Sequence, residues 1–277
     1  MSDDPSIRPL TEGDLDEAVA LSRAVGWPHR REDWQLLRAT STAFGLDHRG
    51  TLIGTAMAWT LGPRHLAVGM VIVAPDRQGG GRGRRLMDAA LAVAGDRSVI
   101  LNATDAGISL YERLGFRRTG TVQQHQGVFA PEAPPPGHVR PMRPDDRAAI
   151  VALDRVATGV DRAHILDALA AVAEGIVVEQ SGAAVGFAFC RRFGRGHLIG
   201  PVVAPDAVSA RLAIGRAASA HAGQFLRVDV PEDTGLGDWL AGLGLAPVAP
   251  VAPMVRGTPP APDGAARTFA LVAQAIG

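Results

Sequence analysis

The chain has 277 residues, 47% hydrophobic and 20% charged, which is the composition of a folded globular protein and not of a disordered one. Its formal net charge is zero, which argues against a dedicated nucleic-acid surface or an anionic-membrane surface. All 28 basic side chains are Arg, which excludes Schiff-base and Walker-type lysines, and the single Cys190 excludes an intramolecular disulfide or a Cys-based zinc cluster.

The opening MSDDPSIRPL is acidic and polar, without a leader pattern. Asp14 followed by Glu17 then resembles a capping box, with Leu15, Ala18, Leu21 and Val25 at helical spacing behind it. Residues 42–47 and 51–60 read as a hairpin around His48-Arg49-Gly50. Residues 66–74 form an apolar strand stopped by Pro75, and the glycine cluster at 79–83 opens a helix with Leu86, Ala90, Val93 and Ala94 on one face. A strand at 98–103, a short helix at 108–114 ended by Gly115 and a last strand at 117–128 complete the series. This order predicts an α/β fold of mixed-sheet α+β layers. No run approaches the roughly 18 apolar residues of a membrane helix, so the expectation is a cytoplasmic protein with no membrane partner.

The series repeats. IRPLTEGDLDEAVAL from Ile7 returns as VRPMRPDDRAAIVAL from Val139, 132 residues on. VIVAPD ending at Asp76 returns as PVVAPD ending at Asp206, and YERLGF from Tyr111 returns, worn, as LAGLGL from Leu240. Three matches in one order at nearly constant offset define a duplicated unit. Residues 131–137, PEAPPPG, form a stiff linker between a unit at 1–130 and a second at 138–277.

Three successive glycines, Gly79, Gly80 and Gly81, with Gly83 beyond, let backbone amides approach a ligand at a helix N-terminus, where an anion is favoured. Arg82, Arg84 and Arg85 add positive charge, and a phosphate is the natural guest. A Walker loop needs a lysine, and the dinucleotide fingerprint lacks its third glycine. A solvated flexible turn is the bland alternative.

Val73-Ala74-Pro75 followed by Gln78-Gly79-Gly80-Gly81-Arg82-Gly83 resembles the acyl-CoA loop of the GNAT acetyltransferases, and Tyr111-Glu112-Arg113-Leu114-Gly115-Phe116 resembles their second motif. The resemblance implies two tandem GNAT acyl-CoA N-acyltransferase domains, with acetyl-CoA as co-substrate and no metal. Gln78, Gly79, Gly80, Gly81, Arg82, Gly83 and Arg84 would take the pyrophosphate loop, Arg82 standing where the family usually has an aliphatic residue. Val71, Ile72 and Val73 would lie along the pantetheine, Val71 and Val73 through backbone groups. The family's usual Asn seven residues before the tyrosine is Thr104 here, with Asn102 two residues earlier and Asp105 as a neighbouring substitute.

The same resemblance makes Tyr111, the only tyrosine, the group that stabilises or protonates the departing thiolate; packing as a core aromatic is its alternative. Trp27, His29, Trp34 and Trp59 fall where GNAT proteins build the acceptor pocket, and packing is equally open for them. His65 and His197 occupy matched places in the two copies and read as structural, and Cys190 reads as a buried strand residue. After Val203-Ala204-Pro205 the second copy has none of the loop glycines and Leu240 replaces the tyrosine. It is expected to bind no CoA and to shape the acceptor pocket or brace the first copy. The activity implied is acetyl transfer to a primary amine of a small molecule such as an amino acid, polyamine or aminoglycoside-like compound, by a monomer or homodimer without nucleic-acid partners. An acyl-CoA-binding regulatory protein and a protein N-terminal or lysine acetyltransferase are the alternatives.

Overall fold

A computed structural model describes residues 4–130 and 137–276; the predicted linker, Gly137 excepted, lies outside the described residues. The first half runs β1 (Ser6–Pro9), α1 (Leu15–Ala24), α2 (Arg31–Ala39), β2 (Thr42–His48), β3 (Thr51–Leu61), β4 (His65–Val73), α3 (Arg82–Ala94), β5 (Ser98–Ala103), α4 (Asp105–Arg113), β6 (Arg117–Arg118) and β7 (Val122–Val128). The second runs β8 (His138–Pro141), α5 (Arg147–Thr158), α6 (Ala163–Ala170), β9 (Glu174–Gln180), β10 (Ala183–Phe193), β11 (Gly196–Ala204), α7 (Ala207–Ser219), β12 (Phe225–Pro231), α8 (Gly237–Gly242), β13 (Ala246–Pro247), β14 (Ala252–Arg256) and β15 (Arg267–Ala270). Through β14 the second series reproduces the first, and the α/β reading with two mixed sheets holds.

Local chemistry is duplicated as well. Asp14 accepts the Thr11 amide at 2.7 Å and two guanidinium bonds from Arg8 at 2.8 Å. Asp146 likewise accepts the Arg143 amide at 2.7 Å and two bonds from Arg140 at 2.7 and 2.8 Å. The capping box therefore lies one turn earlier than the sequence suggested. Glu17 instead accepts the Leu52 amide at 2.7 Å and ties α1 to the β2–β3 hairpin. That hairpin turns at Arg49 and Gly50, both with positive φ as a tight two-residue turn requires.

The sheets do not follow the two halves of the sequence. The first has the order β1-β2-β3-β4-β5-β14-β6, and the second β13-β7-β12-β11-β10-β9-β8. Each half gives a strand, β7 or its counterpart β14, to the other's sheet. β14 pairs with β5 from Ala252↔Ala103 to Arg256↔Val99, and β7 pairs with β12 from Phe225↔Val128 to Pro231↔Val122. The single strand expected at 117–128 is thus two, broken at Gly120, and only its two-residue beginning stays in the first sheet. This exchange makes the halves mutually dependent, because neither sheet is continuous without the other's strand. One face of the first sheet packs on α3 and α4, and its other face shares a hydrophobic core with α1, α2, α5, α6 and β9–β10.

Candidate active site

In the first sheet β4 and β5 pair in parallel only at His65↔Ser98, Leu66↔Val99 and Ala67↔Ile100, and then diverge. From Val68 onward β4 turns an unpaired edge toward the gap while its other edge stays paired to β3 as far as Val73↔Gly54. Between Thr55↔Ile72 and Met57↔Gly69 the register shifts, so Met70 and Val71 together face Ala56. This is a β-bulge with Met70 at φ +51°, held by the Thr55 hydroxyl donating to the Met70 carbonyl at 2.8 Å. A bulge beside an open strand edge re-aims backbone groups into the gap. Val71 and Val73 are partly buried on the α3 side, and Ile72 is buried on the other.

The glycine loop ends at the same gap. Gly79, Gly80 and Gly81 have φ of +84°, +57° and +73°, a run that side-chain-bearing residues would not adopt. Gly81 is the N-cap of α3, and a Cβ on Gly79 or Gly81 would meet nothing within 4 Å, so the concave side is open. The Arg82 amide bonds the Gly79 carbonyl at 3.3 Å, whereas the amides of Gly79, Gly80, Gly81, Gly83 and Arg84 have no backbone acceptor among the described residues. These unpaired donors at a helix N-terminus form an anion cradle.

The arginines serve it less than expected. Arg82 folds back to donate to the Arg77 and Gly79 carbonyls at 3.1 and 3.3 Å, so its side chain shapes the loop instead of reaching for a ligand. Arg84 pairs with Asp88 at 2.8 Å on the exposed face of α3. Gln78 is exposed and reaches the Val73 carbonyl at 3.4 Å.

Tyr111 lies on α4 on the same face of the sheet as α3, edge-on to Phe116 with ring centroids 6.0 Å apart. Burial pushes its phenol up to about 12. Complete proton transfer from it to a thiolate with the ordinary thiol value near 8.5 is then uphill by about 5 kcal/mol, which favours a hydrogen-bond donor over a full acid. Thr104 is the partly buried N-cap of α4. Asn102 points to the opposite face, where its amide donates to the Gln274 carbonyl at 3.0 Å, so it holds the C-terminal tail and not a ligand on the Tyr111 side.

The expected acceptor residues are not brought together around a cavity. Trp34 and Trp59 are fully buried, their indoles donating to the Ser22 hydroxyl at 3.2 Å and the Thr40 hydroxyl at 3.0 Å. Both are core residues, because an aromatic with no exposed surface has nothing to offer an acceptor. His29 is buried edge-on against Phe193 of β10 at 5.1 Å, and burial drives its imidazole down to about 4, neutral. Trp27 is half-buried beside it, with ring centroids 6.1 Å apart. The segment thus docks the two halves together.

A cavity of about 740 Å³ opens instead at the start of the β4–β5 gap, where Val68, Ile100, Leu101 and Asn102 line it. Its far wall is the second half: α5 through Ala157 and Thr158, the turn after β12 through Glu232 and Asp233, and the tail through Leu271, Ala275 and Ile276. None of these second-half residues carries a local signal. Only the strand exchange and the course of the tail bring them to the gap.

The second half lacks both parts of the donor site. Asp206 caps α7 with its carboxylate on the Ser209 amide at 2.7 Å, so the helix begins directly after VAPD with no glycine loop and with a negative charge at its end. Val208 to Ala213, which stand 130 residues after Gln78 to Gly83, are helical, and Arg211 lies over Trp239 at 5.7 Å. The second gap is also filled. β11 leaves β12 after Ile199↔Val228, and β15 then pairs with β11 at Val202↔Ala270, Val203↔Thr268 and Ala204↔Arg267. Cys190 is buried in β10 with its thiol pushed up to about 12, an inert position. His65 and His197 are both buried at the starts of the matched strands, as structural residues.

A mixed sheet split between its fourth and fifth strands, with a glycine-opened helix at the split, defines the acyl-CoA N-acyltransferase fold. The "Acetyltransferase (GNAT) family" model matches residues 12–116 and the "Acetyltransferase (GNAT) domain" model residues 150–270, together well over half the chain. The chain belongs to the GNAT acetyltransferases, with two GNAT domains in tandem, and is an acyltransferase. It is 29% identical to an uncharacterised N-acetyltransferase of Bacillus subtilis, YitH, over 97% of both chains. Among solved structures, one from Pyrococcus horikoshii described as an acetyltransferase matches all of this chain and 97% of its own at a TM-score of 0.83 and 19% identity. A tandem GNAT protein from the clavulanic acid biosynthesis pathway matches 92% of this chain and 99% of its own, at 0.67 and 15%. Among the described residues no helix is long and apolar enough to cross a membrane.

Proposed function

We propose that the first half transfers an acetyl group from acetyl-CoA to the primary amine of a small molecule. The observation that carries this reading is the continuity of the anion cradle at Gly79–Gly83 with the unpaired, bulged edge of β4. The cradle amides receive the pyrophosphate, and the β4 edge from Val68 to Val73 receives the pantetheine amides as an added strand would. The bulge at Met70–Val71 turns a backbone donor toward the thioester oxygen, where negative charge grows as the amine adds. As the carbon–sulfur bond breaks, Tyr111 donates a hydrogen bond to the departing sulfur, and with its phenol near 12 it lowers the thiolate's energy more than it surrenders its proton. An amine with pKa near 10.4 enters protonated and gives its proton to water before attack, at a cost of about 4.6 kcal/mol at pH 7. The test is release of free CoA thiol from acetyl-CoA across an amine panel. Amine-dependent release supports the reading; tight acetyl-CoA binding with no release for any amine would make the protein a binder.

A further inference from the structure

We propose that the cavity at the β4–β5 gap is the acceptor site, shared by both halves, and that it selects amines with an apolar body and no carboxylate; this rests on the acetyl-transfer reading above. Position is the first argument. The cavity begins at Val68 and Leu101, the residues immediately beyond the last paired positions of β4 and β5, so it meets the gap where the two strands part. Its volume, about 740 Å³, is that of a small-molecule site. The tail forms part of its wall beside β4, because a Cβ on Gly69 would collide with the Ala275 carbonyl.

Charge is the second argument. Three ionisable side chains line the cavity: Arg162, Glu232 and Asp233. Arg162 is buried and held by Asp154 through two bonds of 2.9 Å, which cancels its charge. Asp233 pairs with Arg267 at 2.9 Å. Glu232 is exposed at the cavity and forms no salt bridge among the described residues, so the lining carries one uncompensated negative charge. Much of the remaining wall is apolar, including Leu61, Val160, Val255, Leu271 and Ile276. An ammonium on an apolar body satisfies both features. A carboxylate on the same body would face Glu232 with no free cation to answer it.

The experiment measures equilibrium binding of 2-phenylethylamine, L-phenylalaninamide and L-phenylalanine to the intact protein, with acetyl-CoA affinity measured separately on each variant. The first two should bind alike and phenylalanine about tenfold or more weaker, a gap that E232Q narrows. Thr158→Trp, which fills the cavity from the second half, should abolish amine binding while acetyl-CoA affinity is kept. E232Q removes no packing, so it decides the matter even if Thr158→Trp misfolds. Phenylalanine binding as tightly as its amide, no binding of any of the three to a protein that binds acetyl-CoA, or amine binding indifferent to both variants overturns the proposal. Failure of the acetyl-transfer reading would show separately, as absent acetyl-CoA binding or absent thiol release.

Discussion

Asp33 of α2 and Arg191 of β10 form a buried ion pair at 3.2 Å that joins the two halves of the chain. The same carboxylate accepts the Gly194 amide at 3.1 Å and the Arg30 guanidinium at 3.0 and 3.1 Å. Burial opposes its ionisation, but the bonds from Arg30 and the charge of Arg191 hold the carboxyl below the usual range. Removing it leaves Arg191 buried and unpaired. Asp33→Ala should therefore destabilise the protein by about 3–5 kcal/mol in denaturant unfolding, against under about 0.5 kcal/mol for the exposed Arg84→Ala. Equal effects would mean that the pair is not a docking element.

His29 gives this interface a pH dependence. Its folded value near 4 lies below the ordinary imidazole value of 6.5, so between those values the unfolded chain binds a proton that the native one refuses. The neutral imidazole thus contributes stability that is intact above pH 6.5 and is lost as pH falls toward 4. Lowering pH from 7 to 5 should cost about 2 kcal/mol through this residue. His29→Phe, which keeps an aromatic against Phe193, should lose correspondingly less over the same interval. Identical pH profiles for the two proteins would refute the assignment.

What could be read from the sequence and what could not divide along the range of the interactions. The repeat, the glycine loop and the Tyr111 helix were legible because each is encoded within a few residues. The exchange of β7 and β14 was not, because either strand would be as apolar in its own sheet as in its partner's. Its one local trace is Gly120, which breaks the run from Arg117 to Val128 into two strands. Trp34 and Trp59 misled for a related reason. A tryptophan lining a pocket and one filling a core have the same local pattern, and only long-range packing separates them. Asn102 lay on the expected strand, but strand parity turned its side chain to the tail.

Gly81→Val places a β-branched residue at φ +73° in the cradle. The positive φ strains the loop, but a Cβ there would meet no protein atom within 4 Å, so the distortion should stay within the exposed loop and spoil the cradle while the rest of the fold is kept. Circular dichroism should match the parent while acetyl-CoA affinity falls by about a hundredfold or more, the loss of several phosphate contacts. Unchanged affinity would reduce the loop to a turn.

Tyr111→Phe removes one hydroxyl from a buried ring. It should lower kcat by about a hundredfold with acetyl-CoA affinity nearly unchanged, because the hydrogen bond strengthens only as the thiolate forms. A rise in Kd with kcat preserved would place the hydroxyl in ground-state binding instead.

The division of labour between the halves is tested most directly by the stoichiometry of acetyl-CoA binding. The first half offers unpaired amides at Gly79, Gly80, Gly81 and Gly83 and an open β4 edge, while Asp206 caps the equivalent helix and β15 covers the equivalent strand. Isothermal titration should give one acetyl-CoA per chain, lost in Gly81→Val and unchanged in Arg211→Ala. Two equivalent sites, or a single site that survives Gly81→Val and vanishes with Arg211→Ala, would contradict the account.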